Sequence, residues 1–106
     1  MAFPTTRMRR LRASPALRGL VRETELRANR LVLPLFVSEA ASTRELIEAM
    51  PGIERLPIAA AVQEAREVAE LGLAAVLLFG VPAEKDPEGS GAWDEQGVVQ
   101  LATAAI

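Results

Sequence analysis

The 106-residue sequence contains no cysteine and no histidine. Without thiols there is no disulfide framework. Without thiolate or imidazole groups, the usual zinc sites and all Cys- or His-based catalysis are excluded from this chain. Aromatic residues are scarce: one Trp, three Phe and no Tyr. Lysine occurs once, as Lys85. No apolar run approaches the ~18 residues that a membrane-spanning helix requires. With no cysteine to read, the redox compartment leaves no mark on the sequence.

What remains is a globular composition, half hydrophobic and one quarter charged. The length suits one ordinary domain or a piece of a larger one. Charge is unevenly spread. Residues 1–30 carry eight Arg against Glu23 and Glu25, a balance of +6. Residues 31–106 carry four basic groups against twelve acidic ones, a balance of −8. A basic arm thus precedes an acidic body, and such asymmetry points to a partner for the arm. An Arg-rich, acid-free start also fits an organelle transit peptide, but Pro4 and Pro15 interrupt the amphipathic helix that such a peptide needs. The expectation is a cytoplasmic protein, with an organelle transit peptide as the alternative. Nucleic-acid binding would use the same charges, but no aromatic stacking partners or known motif accompany them.

Hydrophobic periodicity divides the chain further. Ser14-Pro15 is a helix start, with Ser as N-cap and Pro in the first turn. Leu17, Leu20 and Val21 follow at helical spacing, which predicts a short helix over 15–25. Leu31 to Val37 is a continuous apolar run, as in a strand buried on both faces of a parallel sheet. Pro34 fits there only at an edge or an irregularity, because it donates no ladder hydrogen bond. A short helical turn is expected over Arg44–Ala49, then a turn at Met50-Pro51-Gly52. Ala61, Val62, Ala65, Val68 and Ala69 form one apolar stripe, predicting a helix over 58–71 closed by Gly72. A second buried strand is expected over 73–79. A polar loop over 81–94 follows, then a helix beginning near Glu95 with Asp94 as its cap. The order arm, β, α, β, loop, α contains a βαβ unit. Two buried strands cannot be covered by so few helices. The final helix lacks a capping signal, which suggests a truncated chain.

Several polar clusters have bland readings. Glu64, Glu67 and Glu70 lie on the polar side of the long helix and are expected to form its wet face. The run Glu84, Lys85, Asp86 and Glu88 reads as a solvated loop, and Trp93 as a packing anchor. Phe79 ends a strand, where it either lines a barrel mouth or packs in a core.

Five segments, in one order, resemble the porphobilinogen synthase (delta-aminolevulinic acid dehydratase) family. Arg9-Arg10-Leu11-Arg12-Ala13-Ser14-Pro15-Ala16-Leu17-Arg18, followed by Glu23-Thr24, is similar to its N-terminal arm. Leu31 to Val37 is similar to its first barrel strand, where proline is usual. Ala49 to Arg55 resembles its M-P-G-x-x-R turn, and Val76 to Pro82 its second strand. Lys85-Asp86, Gly89-Ser90 and Ala92 resemble its K-D-x-x-G-S-x-A loop.

The resemblance implies an α/β fold: an arm (1–30) and the first βαβα part of a truncated (β/α)8 TIM barrel (31–106). It implies condensation of two 5-aminolevulinate molecules to porphobilinogen, through Schiff bases on two lysines, with zinc or magnesium as the metal. It implies a homo-octamer held partly by the arm, here Arg9, Arg10, Leu11, Arg12, Pro15, Leu17 and Arg18. The family's catalytic lysines, metal ligands and carboxylate-binding groups all follow the equivalent of Ile106. No catalytic, cofactor or metal residue is therefore assigned in this chain, which on its own is expected to be inactive. The alternative expectation is a non-catalytic partner that binds intact barrels through its arm.

Overall fold

The computed structural model describes residues 4–106, so the first three residues of the predicted arm lie outside the described residues. Residues 4–30 are almost wholly exposed. A 3-10 turn at Arg10–Arg12 leads into helix α1, Pro15–Leu20. Ser14 adopts extended backbone and its hydroxyl accepts from the Leu17 N–H at 3.2 Å, as the sequence predicts for an N-cap. The helix ends at Leu20, well short of residue 25. One turn and a half gives little propagation to offset nucleation.

The body is one four-stranded sheet with helices on one side. Strand β1 spans Val32–Ser38, β2 Glu45–Leu46, β3 Glu54–Leu56 and β4 Ala75–Val81. Helix α2 spans Ile58–Glu70 and α3 Val98–Ala105. The strand order is β2-β3-β1-β4. β1 pairs with β4 in parallel along its whole length, from Val32 opposite Ala75 to Ser38 opposite Val81. The predicted βαβ unit is therefore β1-α2-β4. The ladder between β1 and β3 covers only Phe36 and Val37. At Pro34 that side of β1 is open, the edge condition proline requires.

Two expectations fail here. Arg44–Ala49 forms no helix; Glu45–Leu46 pairs antiparallel with β3, and the turn at 50–52 joins the two. Its partner β3 is only the three residues Glu54–Leu56. The last helix begins at Val98 rather than near Glu95. Asp94 instead accepts from the Gln96 N–H at 2.8 Å, capping the turn before it.

Alternation along the strands decides which residues form the core. Leu35, Val37, Leu56, Ala61, Val98 and Ala102 are buried together, with Leu33, Val76 and Leu78 against them. Leu33, Leu35 and Val37 of β1 and Val76 and Leu78 of β4 are the strand residues that face Ala61 of α2 and Val98 and Ala102 of α3. α2 ends in a Schellman motif, with Gly72 at φ +75 and the Leu73 N–H donating to the Val68 carbonyl. That tight reversal turns the chain directly into β4.

Candidate functional site

Among the described residues, nothing covers the opposite face of the sheet. Its residues fall in cross-strand rows set by the register: Val32 beside Ala75, Pro34 beside Leu77, and Phe36 beside Phe79. Val32 is 51% exposed, Leu77 52% and Phe79 46%. The Phe36 and Phe79 rings stack with centroids 5.4 Å apart and planes at 22°. This pair lies toward the C-terminal ends of two parallel strands, the end at which barrel enzymes build their active sites. Arg55 extends the same row, because β3 places it opposite Phe36. It is exposed.

The loop beyond β4 is tied to β1. Glu39 donates its N–H to the Val81 carbonyl at 3.0 Å, and its carboxylate accepts from the Ala83 N–H at 2.9 Å. Asp86 accepts from the Ser90 hydroxyl and from the Ser90 N–H at 2.9 Å. These bonds hold its carboxyl below the usual carboxylate range, the hydroxyl contributing most. Gln100, in the first turn of α3, donates to the Ala92 carbonyl at 2.8 Å. An open cavity of 460 Å³ is bounded by Glu39, Lys85, Asp86, Ser90 and Asp94 among others.

Other sequence-singled residues land as follows. Lys85 is exposed on this loop. Trp93, at the end of the 3-10 turn Ser90–Ala92, is 67% exposed and is not buried as a packing anchor among the described residues. Glu64 is not simply part of a wet face. It and Glu54 both receive Arg44, at 2.6 and 3.1 Å, joining the start of β2, β3 and α2. The two carboxylates, Glu64 first, hold the guanidinium pKa above its ordinary value. The arm residues Arg9, Arg10, Leu11, Arg12, Pro15, Leu17 and Arg18 come together on the 3-10 turn and α1, where Arg18 donates to the Arg12 carbonyl at 3.1 Å. All of them are exposed, Leu11 at 57% and Leu17 at 37%.

Among the described residues, no three acidic side chains converge into a group able to hold a metal ion. The zinc or magnesium implied by the resemblance does not fit these residues, which offer no Cys, no His and no converging carboxylates among those described. No described helix is long and apolar enough to cross a membrane.

Comparison with known proteins places this geometry. The family model described as delta-aminolevulinic acid dehydratase matches residues 5–106. The dehydratase of Synechocystis sp. is 44% identical over 104 residues, covering 98% of this chain and 32% of its own length. That of Methanothermobacter thermautotrophicus is 48% identical over 102 residues, covering 94% and 31% respectively. The crystal structure of the Toxoplasma gondii dehydratase, in complex with the reaction product porphobilinogen, superposes with a TM-score of 0.84 at 30% identity. It covers 94% of this chain and 29% of that one. The chain therefore spans about a third of the length of the curated relatives it matches. Its mixed α/β fold is that of the opening part of a TIM barrel. The match runs from the arm through the sheet, over nearly the whole chain: it belongs to the delta-aminolevulinic acid dehydratase family.

Proposed function

We propose that this chain supplies the arm and the opening strands of a porphobilinogen synthase, which condenses two 5-aminolevulinate molecules to porphobilinogen in tetrapyrrole (haem) biosynthesis. The observation that carries the reading is the uncovered apolar sheet face, in a chain that matches the dehydratases from residue 5 to 106. In this reading residues 31–106 form the first part of the barrel wall, and Val32, Pro34, Phe36, Leu77 and Phe79 point to its interior. Phe79, stacked on Phe36, lines the mouth beside the reacting centre. Residues 1–30 form an arm that contacts a neighbouring subunit through Arg9, Arg10, Leu11, Arg12, Pro15, Leu17 and Arg18, in a cytoplasmic homo-octamer. Neither nucleic acid nor membrane is its partner. The metal, zinc or magnesium, and the carboxylate-binding groups belong to the remaining two thirds of the barrel.

The mechanism needs two amines to form Schiff bases with two ketones. Lys85 is the only lysine, and it stands on an exposed loop rather than at a strand end facing the barrel axis. This chain alone therefore makes no porphobilinogen. The test is to replace the matching first third of the Synechocystis dehydratase with residues 1–106 and assay the product. Porphobilinogen from the hybrid and none from the 106-residue chain is the expected result. Product from the 106-residue chain alone would refute the assignment of the chemistry to the rest of the barrel. A folded but inactive hybrid would favour the non-catalytic partner, and binding of the chain to intact barrels through its arm would then be the next observation sought.

A further inference from the structure

Strands β1 and β4 part at their C-terminal ends, and one side chain spans the gap. Ser38, the last residue of β1, lies opposite Val81, the last of β4. The Glu39 N–H still donates to the Val81 carbonyl at 3.0 Å. In a regular parallel ladder the next rung would run from the Ala83 N–H to the main-chain carbonyl of Glu39. It runs instead to the Glu39 carboxylate, at 2.9 Å. The side chain stands in for its own backbone, which leaves the main chain of β1 to turn away. That turn is closed locally, where the Ala41 N–H donates to the Ser38 hydroxyl at 3.3 Å and both residues are buried. Pro82 brings no N–H, so the Ala83 N–H is the first donor the chain offers after β4. The other side-chain bonds of this loop are short in range: Asp86 holds Ser90, and Gln100 holds the Ala92 carbonyl. Glu39 reaches its partner across 44 residues.

We propose that Glu39 is a positioning residue for substrate capture: its carboxylate, acting through the Ala83 N–H, fixes the start of the loop over 82–97 at the mouth marked by Phe36 and Phe79. The inference rests on the proposed function. Loops that follow barrel strands build the rim of the active site, and Phe79 stands only four residues before Ala83. A loop held at its first free amide leaves the strand in one direction. Without that bond the segment after Pro82 regains conformational freedom that substrate binding must remove again. The loop contributes no amine to the covalent steps, because Lys85 stands exposed on it. Releasing it therefore weakens binding common to the ground and transition states, which raises KM and leaves kcat. The partner of Glu39 is an amide N–H rather than a cation, so what the side chain supplies is an acceptor oxygen. Glutamine keeps an acceptor oxygen at the same reach and should serve as well.

The experiment uses the joined hybrid, in which residues 1–106 replace the matching first third of the Synechocystis dehydratase. Glu39→Ala, Glu39→Gln and, as a control, Glu70→Ala on the exposed side of α2 are compared. Porphobilinogen formation gives kcat and KM, and hydrogen exchange is followed in the peptide over 80–86. Glu39→Ala should abolish protection at Ala83 and raise KM about fivefold, with kcat within about twofold of the parent. Glu39→Gln should keep the protection and the parental KM, and Glu70→Ala should match the parent in both. If Glu39→Ala does not fold, Glu39→Met takes its place, because it keeps the length of the side chain without an acceptor oxygen. Lost protection with unchanged kinetics would make Glu39 a structural residue only and overturn the proposal. A fall in kcat at constant KM would overturn the capture role. Protection that survives the loss of the carboxylate would remove the clamp itself. A Glu39→Gln variant as impaired as Glu39→Ala would assign the effect to charge and overturn the acceptor role. Each of these outcomes, in an active parent, leaves the proposed function standing. A folded parent hybrid that makes no porphobilinogen would instead end the dehydratase reading and the capture role together.

Discussion

A methyl group at Gly80 would sit 2.6 Å from Val99 Cγ2 and 3.0 Å from Val98 Cγ1. Glycine is required there by the approach of α3 to β4, not by backbone conformation. Gly80→Ala should therefore cost about 1–3 kcal/mol through overpacking. Val99→Ala in the same chain should recover most of it, as read from hydrogen-exchange protection of α3. Leu35, 6% exposed, has no such freedom on any side, and Leu35→Ala should lose about 2–5 kcal/mol. Asp86 gives a pH signature. Its ionised form is favoured by the Ser90 hydroxyl and N–H, so its folded pKa is lowered. The stabilisation it brings is complete above the ordinary carboxylate range and is lost as pH falls through the lowered value. The Ser90 amide should be protected from exchange at neutral pH and lose that protection on acidification. Asp86→Asn should show weak protection without the pH dependence. At this scale the sequence was legible where the signal is local, as at Ser14 and Gly72. The Arg44 bridge was not legible, because its partners lie 10 and 20 residues away. Trp93 misled because the size of a ring does not say whether the loop that carries it packs it against the body.

Among the elements, α2 and the two long strands were read within two residues of their ends. Their apolar patterns are strong and their terminal residues specific. The short strands were missed, because two- and three-residue ladders exist only through their partners and carry no period of their own. That some strand surface would lack cover was legible, because two fully apolar strands meet too few helices; which face lacks it was not. A continuous apolar run signals burial on both sides, and only the structure shows that helices cover one side of this sheet. The arm is an element with its own prediction. It is basic, exposed and built from a 3-10 turn and a six-residue helix. Brief trypsin treatment should cut it after several arginines between Arg7 and Arg30 while α2, with Arg66, stays intact. Mass spectrometry of the first products checks this, and cleavage beginning at Arg66 would contradict the order of stability.

The whole molecule is extended, 63 Å along its longest axis with a radius of gyration of 21.2 Å. A compact chain of this length would have about 13 Å. The arm accounts for part of this shape and the half-covered sheet for its small core, in which Val37 is the largest fully buried side chain. An open parallel edge next to an exposed apolar face favours association. The isolated chain should therefore bind a hydrophobic dye, read by its fluorescence, and associate as its concentration rises, read by light scattering. The account's central claim is that this face is the inside of a barrel. The absence of cysteine from the chain allows a direct test. Leu77→Cys and Val76→Cys are each placed in the 106-residue chain and in the joined hybrid, and thiol labelling at those peptides is timed by mass spectrometry. The account predicts that position 77 labels quickly in the chain alone and is protected in the hybrid, with position 76, on the helix-facing side, slower than 77 in the chain alone. Equal, rapid labelling at position 77 in a folded hybrid would contradict it.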